Sequence, residues 1–363
     1  MQRRTFLQSM PAAALAAAEA APPASDSPVK LGFDTYSLRA FQWKGTQLLD
    51  YAAAQKLDTI QFSSLADYGP LDGANLQRIK DRAQQQGIAI DSGMGCICES
   101  SKGFDKNGPP ALQQLIAGLK VAKAVGATSM RCWMGRNEDR LGPLPIEAHM
   151  ENAIKVFRAA RAQALDLGVK IALENHADLQ AREARTIIEE SGKDFVASCL
   201  DFGNPVWCLE DPFLTLETLA PYVVTTHVRD AVVFEHPRGA CWQWVALGDG
   251  QLDMAHFAAE FRRRCPQASM QLEIITGRPP QVHAYLEPDF WKAYPKTPAW
   301  EFARFVRMAK TGHPFMGAMV IEDVPGVRAA VMDEALKEQQ RVDLERSFEY
   351  ARKKMNVGVK WRA

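Results

Sequence analysis

After residue 28 the chain repeats one cycle eight times: a short apolar run, a polar loop, then a segment of helical periodicity. The apolar runs lie at 30–35, 59–62, 88–92, 129–133, 170–174, 196–201, 223–228 and 271–275. Helical segments are clearest at 74–86, 111–125, 146–167, 181–190 and 254–264. Gly87, Gly126 and Gly168 each stand just before the next apolar run, where a left-handed residue closes a helix. Continuous apolar runs alternating with helices belong to parallel strands covered by those helices. Eight such units predict an α/β fold, a (β/α)8 TIM barrel. A doubly wound sheet would need fewer strands and a glycine-rich first turn. The turn after the first run reads Tyr36-Ser37-Leu38-Arg39, with no glycine.

Two segments exceed the minimal barrel. The stretch 277–298 is an extended strand-eight loop whose Tyr285, Phe290, Trp291 and Tyr294 argue against disorder. The stretch 327–354 reads as a charged helix with an apolar stripe that includes Val331, Leu336, Leu344 and Phe348. It is expected to pack on the barrel exterior or on another subunit, as in a homo-oligomer. The expected domains are therefore a signal and linker at 1–27, the barrel at 28–312 and a C-terminal helical extension at 313–363.

In such a barrel the chemistry sits at the C-terminal ends of the strands. The fifth run ends Leu173-Glu174-Asn175-His176 and the sixth Leu200-Asp201-Phe202-Gly203-Asn204. The seventh ends Thr226-His227-Val228-Arg229-Asp230, and the eighth contains Leu272-Glu273-Ile274. One charged group closing a strand is often a helix cap or a salt-bridge partner. Four on consecutive strands, Glu174, Asp201, His227 and Glu273, form a ligand set for one divalent ion: Mn²⁺, Mg²⁺, Co²⁺ or Zn²⁺.

The same residues resemble the xylose-isomerase-like superfamily of sugar isomerases and epimerases, with its ketose 3-epimerases, inosose-processing enzymes and hydroxypyruvate isomerases. The likeness rests on Leu-Glu-Asn-His, Asp-Phe-Gly-Asn and His-Val-Arg-Asp at the three strand ends, and covers roughly 30–310. Leu247-Gly248-Asp249-Gly250 is similar to the loop that family places after strand seven. The resemblance implies a carbohydrate substrate chelated through a carbonyl and a neighbouring hydroxyl, and proton abstraction through a metal-stabilised enediolate. It implies that Glu174 and Glu273 face each other across the substrate and move the carbon proton, with Asp201 and His227 mainly as ligands. A lyase or hydrolase acting on 3-keto-glycosides could share this site, and so could a carbohydrate-binding barrel without catalysis. A metal-dependent apurinic endonuclease has a similar strand-end pattern but needs further histidines. Gln61 and Asn204 stand where they would be expected.

Around the quartet several residues have two readings. His176 and Arg229 each lie two positions beyond a ligand, so an extended backbone would aim them the same way. His176 binds a substrate hydroxyl or is an ordinary loop histidine. Arg229 clamps a substrate oxygen or pairs with Asp230 or another rim carboxylate. Trp133 floors a sugar ring or caps the core, and Tyr36 is a weaker candidate for substrate contact. Trp242 and Trp244 line the pocket or anchor its loop.

Arg3-Arg4, an Ala-rich apolar stretch from Pro11 to Ala18 and small residues near Ala20 and Ala21 read as a Tat-type export signal. The expected location is periplasmic or secreted. The apolar run is too short for a membrane helix, so no stable span is expected after signal removal. The seven cysteines lack the spacing of a disulfide framework and are expected to be reduced core residues. Lys plus Arg and Asp plus Glu balance at 43 each, so no basic field points to nucleic acid.

Overall fold

The uninterrupted apolar runs become strands β1 (Leu31–Asp34), β2 (Thr59–Phe62), β3 (Ala89–Cys96), β4 (Ser129–Trp133), β5 (Lys170–Glu174), β6 (Val196–Asp201) and β7 (Val223–His227). Next come a hairpin, β8 (Asp230–His236) and β9 (Gly239–Val245), then β10 (Met270–Leu272) and β11 (Gln281–His283). This is a computed structural model that describes residues 28–317, 321–324 and 328–363. The predicted export signal at 1–27 lies outside the described residues.

Eight strands pair in parallel in the order β10-β1-β2-β3-β4-β5-β6-β7. A parallel bridge between Val228 and Leu272 joins the last to the first, so the sheet closes into a (β/α)8 TIM barrel. Along the chain, helices α1 (Thr46–Ala54), α2 (Gly73–Gln86), α3 (Ala111–Val125), α4 (Ile146–Leu167), α5 (Ala181–Ser191), α6 (Pro212–Leu219) and α7 (Met254–Arg264) alternate with the barrel strands. Gly87, Gly126 and Gly168 close α2, α3 and α4 with φ of 61°, 83° and 64°, a conformation that costs a residue with a Cβ.

The eighth outer position belongs to the C-terminal helix α9 (Asp333–Lys353), while α8 (Ala299–Thr311) covers the hairpin instead. Phe348 of α9 packs edge-on against Phe33 of β1, with ring centroids 6.2 Å apart. Tyr51 of α1 and Gln55, which caps it, donate to Glu345 on one flank, and Arg346 pairs with Asp249 near α7 on the other. The C-terminal segment thus packs on the barrel exterior, as expected, and there completes the helical ring. Leu336, Leu344 and Phe348 are buried, but Val331 is 83% exposed in a turn before the helix and leaves the expected stripe.

The chain after β7 departs from expectation. β8, β9 and β11 form an antiparallel three-stranded sheet, where sequence reading expected loops. The aromatic residues of 277–298 pack beside it: Tyr285 and Trp291 lie edge-on to Phe302 of α8, and Phe290 stacks on Tyr294. All seven cysteines are buried free thiols. Among the described residues no helix is long and apolar enough to cross a membrane.

Candidate metal centre

Parallel pairing sets the register that brings the strand ends together: Asp201 lies opposite His227 across β6 and β7, and Glu174 opposite Cys199 across β5 and β6. Glu174, Asp201, His227 and Glu273 are all buried, each offering a ligand atom within 4.8 Å of the others. His227 Nδ1 faces Glu174 Oε1 at 3.4 Å, Glu273 Oε2 at 3.4 Å and Asp201 Oδ2 at 3.8 Å. That nitrogen is buried without a hydrogen-bond partner. An orphaned imidazole nitrogen aimed at three carboxylates is a donor set that fits a divalent cation.

The ligand side chains are held from behind, as metal ligands usually are. His227 Nε2 contacts the Gln61 amide and lies 3.3 Å from Asp34 Oδ2. Gln61 is itself fixed by Thr225, whose hydroxyl donates to its Oε1 at 2.8 Å. Asp201 Oδ1 accepts from the backbone of Gly203 and Asn204, leaving Oδ2 toward the centre. Asn204 donates to Glu174 Oε1 at 3.0 Å and accepts from Arg229 Nη2 at 3.0 Å.

Two buried arginines share the carboxylates. Arg131 of β4 sets Nε and Nη2 on Glu174 Oε2, each at 2.5 Å. Its Nη1 donates to the carbonyls of Ser63 and Met94 at 3.4 and 3.3 Å. Arg229 pairs with Asp201 and Glu273 and lies 4.6 Å over the Trp244 ring. Burial drives the Glu174 carboxyl up, but Arg131 and His227 outweigh it and hold it well below the usual range. Asp201 is pushed up to about 7 by burial, opposed by Arg229 and reinforced by Glu174 and Glu273. Burial disfavours a charged His227, yet Glu273, Glu174 and Asp34 carry its affinity for a proton well above the ordinary value. The carboxylates demand positive charge, and a proton on His227 or a divalent ion can supply it.

Of the predicted substrate contacts, Trp133 and His176 come together, stacked with centroids 4.8 Å apart, and Trp207 lies 6.0 Å from the same imidazole. His176 Nδ1 donates to the Gly135 carbonyl at 2.9 Å, and burial lowers its proton affinity, so a neutral ring presents Nε2 as an acceptor. Arg229 reaches into the quartet rather than to Asp230. Asp230 instead gathers the backbone N–H groups of Gly248, Gly250 and Leu252. Asp249 turns away to Arg346, so the loop is a structural knot here. Tyr36 accepts from Arg278 at 3.3 Å and lies under Arg39, set apart from the quartet's hydrogen bonds. Trp242 and Trp244 are both buried and anchor the hairpin, the latter donating to the Gly203 carbonyl at 2.9 Å.

Sequence reading passed over Arg131 and Asp34. The signal for Arg131 was a charge inside an apolar strand, two residues before Trp133 and hence on the same face. A cavity of about 490 Å³ lies between the hairpin and α9, bounded by Trp244, Ile275 and Thr276 and by Val342, Asp343 and Arg346 of α9; the quartet does not line it.

Comparison with known proteins agrees with this architecture. The chain is 29% identical over 209 residues to the uncharacterized Escherichia coli protein YihM, covering 56% of this chain and 58% of that one. It thus spans less than two thirds of that relative's length. It is 22% identical over 235 residues to 3-oxo-isoapionate decarboxylase of Pectobacterium atrosepticum, covering 61% and 77% of the two chains. A solved D-psicose 3-epimerase shares the fold at a TM-score of 0.55 and 15% identity, covering 90% of this chain and 99% of that one. The model of the xylose isomerase-like TIM barrel family matches residues 49–294, and the chain belongs to that family.

Proposed function

We propose that this protein is a divalent-metal-dependent isomerase or epimerase acting on a sugar or keto-sugar. The observation that carries the reading is the unpartnered His227 Nδ1, buried and facing three carboxylates. Glu174, Asp201, His227 and Glu273 would hold the ion. When bound, it would polarise a carbonyl oxygen and offset the charge that develops there as the neighbouring carbon loses its proton. On this reading a glutamate of the quartet takes that proton, and the Trp133–His176 stack offers a flat face and a hydrogen-bond acceptor for the sugar. A lyase on the same site is the second reading, supported by the decarboxylase relative.

The test is metal analysis followed by exchange. Purified protein should hold about one divalent ion per chain, as a single open site does. With the ion present, deuterium from D₂O should enter a keto-sugar beside its carbonyl, and chelation should stop it. A chain that binds no metal and gains nothing on reconstitution would sink the proposal. Carbon dioxide release without exchange in recovered substrate would favour the lyase. Export by the Tat route is also proposed, from Arg3 and Arg4. Replacing both by Lys should retain the protein in the cytoplasm, and unchanged export would refute this.

A further inference from the structure

The two glutamates of the quartet are not equivalent. Glu174 has both oxygens engaged: Oε2 receives Nε and Nη2 of Arg131, while Oε1 accepts from Asn204 and faces the His227 nitrogen. Arg131 cannot swing away freely, because its third nitrogen is tied to the carbonyls of Ser63, just past β2, and Met94, within β3. Glu273 has one oxygen engaged. Its Oε2 meets Arg229 and faces His227, and among the described residues no donor pairs with Oε1. Its side chain also keeps 6% exposure against 1% for Glu174.

A carboxylate that takes a proton from carbon needs an oxygen free to receive it. We infer, on the reading proposed above, that Arg131 makes Glu174 a ligand that carries no proton, and that Glu273 alone moves the carbon proton. In the step, the substrate C–H bond breaks and an O–H bond forms on Glu273 Oε1. The C–H electron pair becomes the new carbon–carbon double bond, and the carbonyl π pair moves onto its oxygen. The proton of the adjacent hydroxyl passes to the former carbonyl oxygen, and the oxygen it leaves donates its pair to form the new carbonyl while the double-bond pair takes the proton back from Glu273 Oε1 onto the neighbouring carbon. Departure and return occur on one face. The reaction class is a proton shift between adjacent carbons, such as aldose–ketose interconversion, rather than inversion between opposed bases. Arg131 is the positioning residue that imposes this.

Two measurements on the full chain test it. Metal-free protein is coupled with a water-soluble carbodiimide and glycinamide, and labelling of each glutamate is read by peptide mass spectrometry. Glu273 should label about tenfold faster than Glu174, following the free oxygen. Arg131→Gln should raise labelling of Glu174, and Arg131→Lys should restore its protection. Equal labelling in the unaltered chain overturns the assignment, whether or not the variants fold. Next, Mn²⁺-loaded protein is incubated in D₂O with D-fructose and with a 3-keto-glucoside. Glu273→Gln should lose about 100-fold in deuterium incorporation at every Mn²⁺ concentration, the scale of a missing general base. Glu174→Gln should instead show a loss that added Mn²⁺ reverses. Losses that Mn²⁺ reverses in neither variant, or a carbon epimer formed by the unaltered enzyme, overturn it. Asymmetric labelling with no exchange from either probe would uphold the Arg131 clamp and count against the proposed function.

Discussion

A Cβ built on Gly203 would lie 2.2 Å from Arg229 Cγ and 2.4 Å from its Nε, so the glycine is what admits the arginine to the quartet. Gly203→Ala must displace that side chain, and overpacking of this kind costs about 1–3 kcal/mol. Urea denaturation should show the loss, and Mn²⁺ affinity should change with it; a neutral substitution would mean that Arg229 is not held as described. Asp178 poses a different question, because both its oxygens are buried with no partner among the described residues. Burial pushes its carboxyl from the ordinary 3.8 up to about 8. The folded state therefore favours the protonated acid. The associated stability is fully present below the unfolded value and is lost as pH rises through the folded one. Asp178→Asn, neutral throughout, should match the parent near pH 4 and exceed it by about 1–3 kcal/mol near pH 9, the scale of an unpaired buried polar group. A gap that stays constant across that range would rule this out. Residues of the second kind are hard to see in sequence: Asp178 looks like an ordinary polar neighbour until the fold buries it, and Arg131 interrupts an apolar run without showing which carboxylate it meets. The quartet was legible because each member breaks or closes an apolar run.

Elements built from such runs were legible nearly to the residue. Ser129–Trp133, Lys170–Glu174 and Val196–Asp201 match the expected bounds because each run is short, largely apolar and ends on a polar or aromatic residue at the barrel mouth. The β8–β9 hairpin was not, since its turn at Pro237 and Arg238 follows a stretch beginning Arg229-Asp230 that reads as a loop. Its strands were recognisable only once α8 and β11 covered them. The role of α9 was likewise hidden, because a charged helix gives no sign of which wall it completes. Phe348 is fully buried against β1, so Phe348→Ala should cost about 3–5 kcal/mol. Chemical denaturation would show it. A cost near zero would mean that α9 merely rests on the surface and that the ring of helices is complete without it.

At the scale of the whole molecule, the quartet is drawn from β5, β6, β7 and the end of β10, so any metal it binds would be bound only by the assembled barrel. An ion that binds only the folded chain stabilises it by mass action, about 2.7 kcal/mol at a hundredfold excess over Kd. Thermal melts with and without Mn²⁺ should therefore separate, and the separation should vanish in Asp201→Ala. The join between β7 and β10 is the thinnest in the barrel: one bridge, with Val228 N–H donating to Gln271 at 2.9 Å and Glu273 N–H donating to Val228 at 3.1 Å. His227 and Glu273 stand on its two sides. An ion held by both would rivet the cylinder where its wall is weakest. Hydrogen exchange at the amides of Val228 and Glu273 would then slow on loading more than elsewhere in the sheet, making the breathing of one seam a reporter of whether the site is filled.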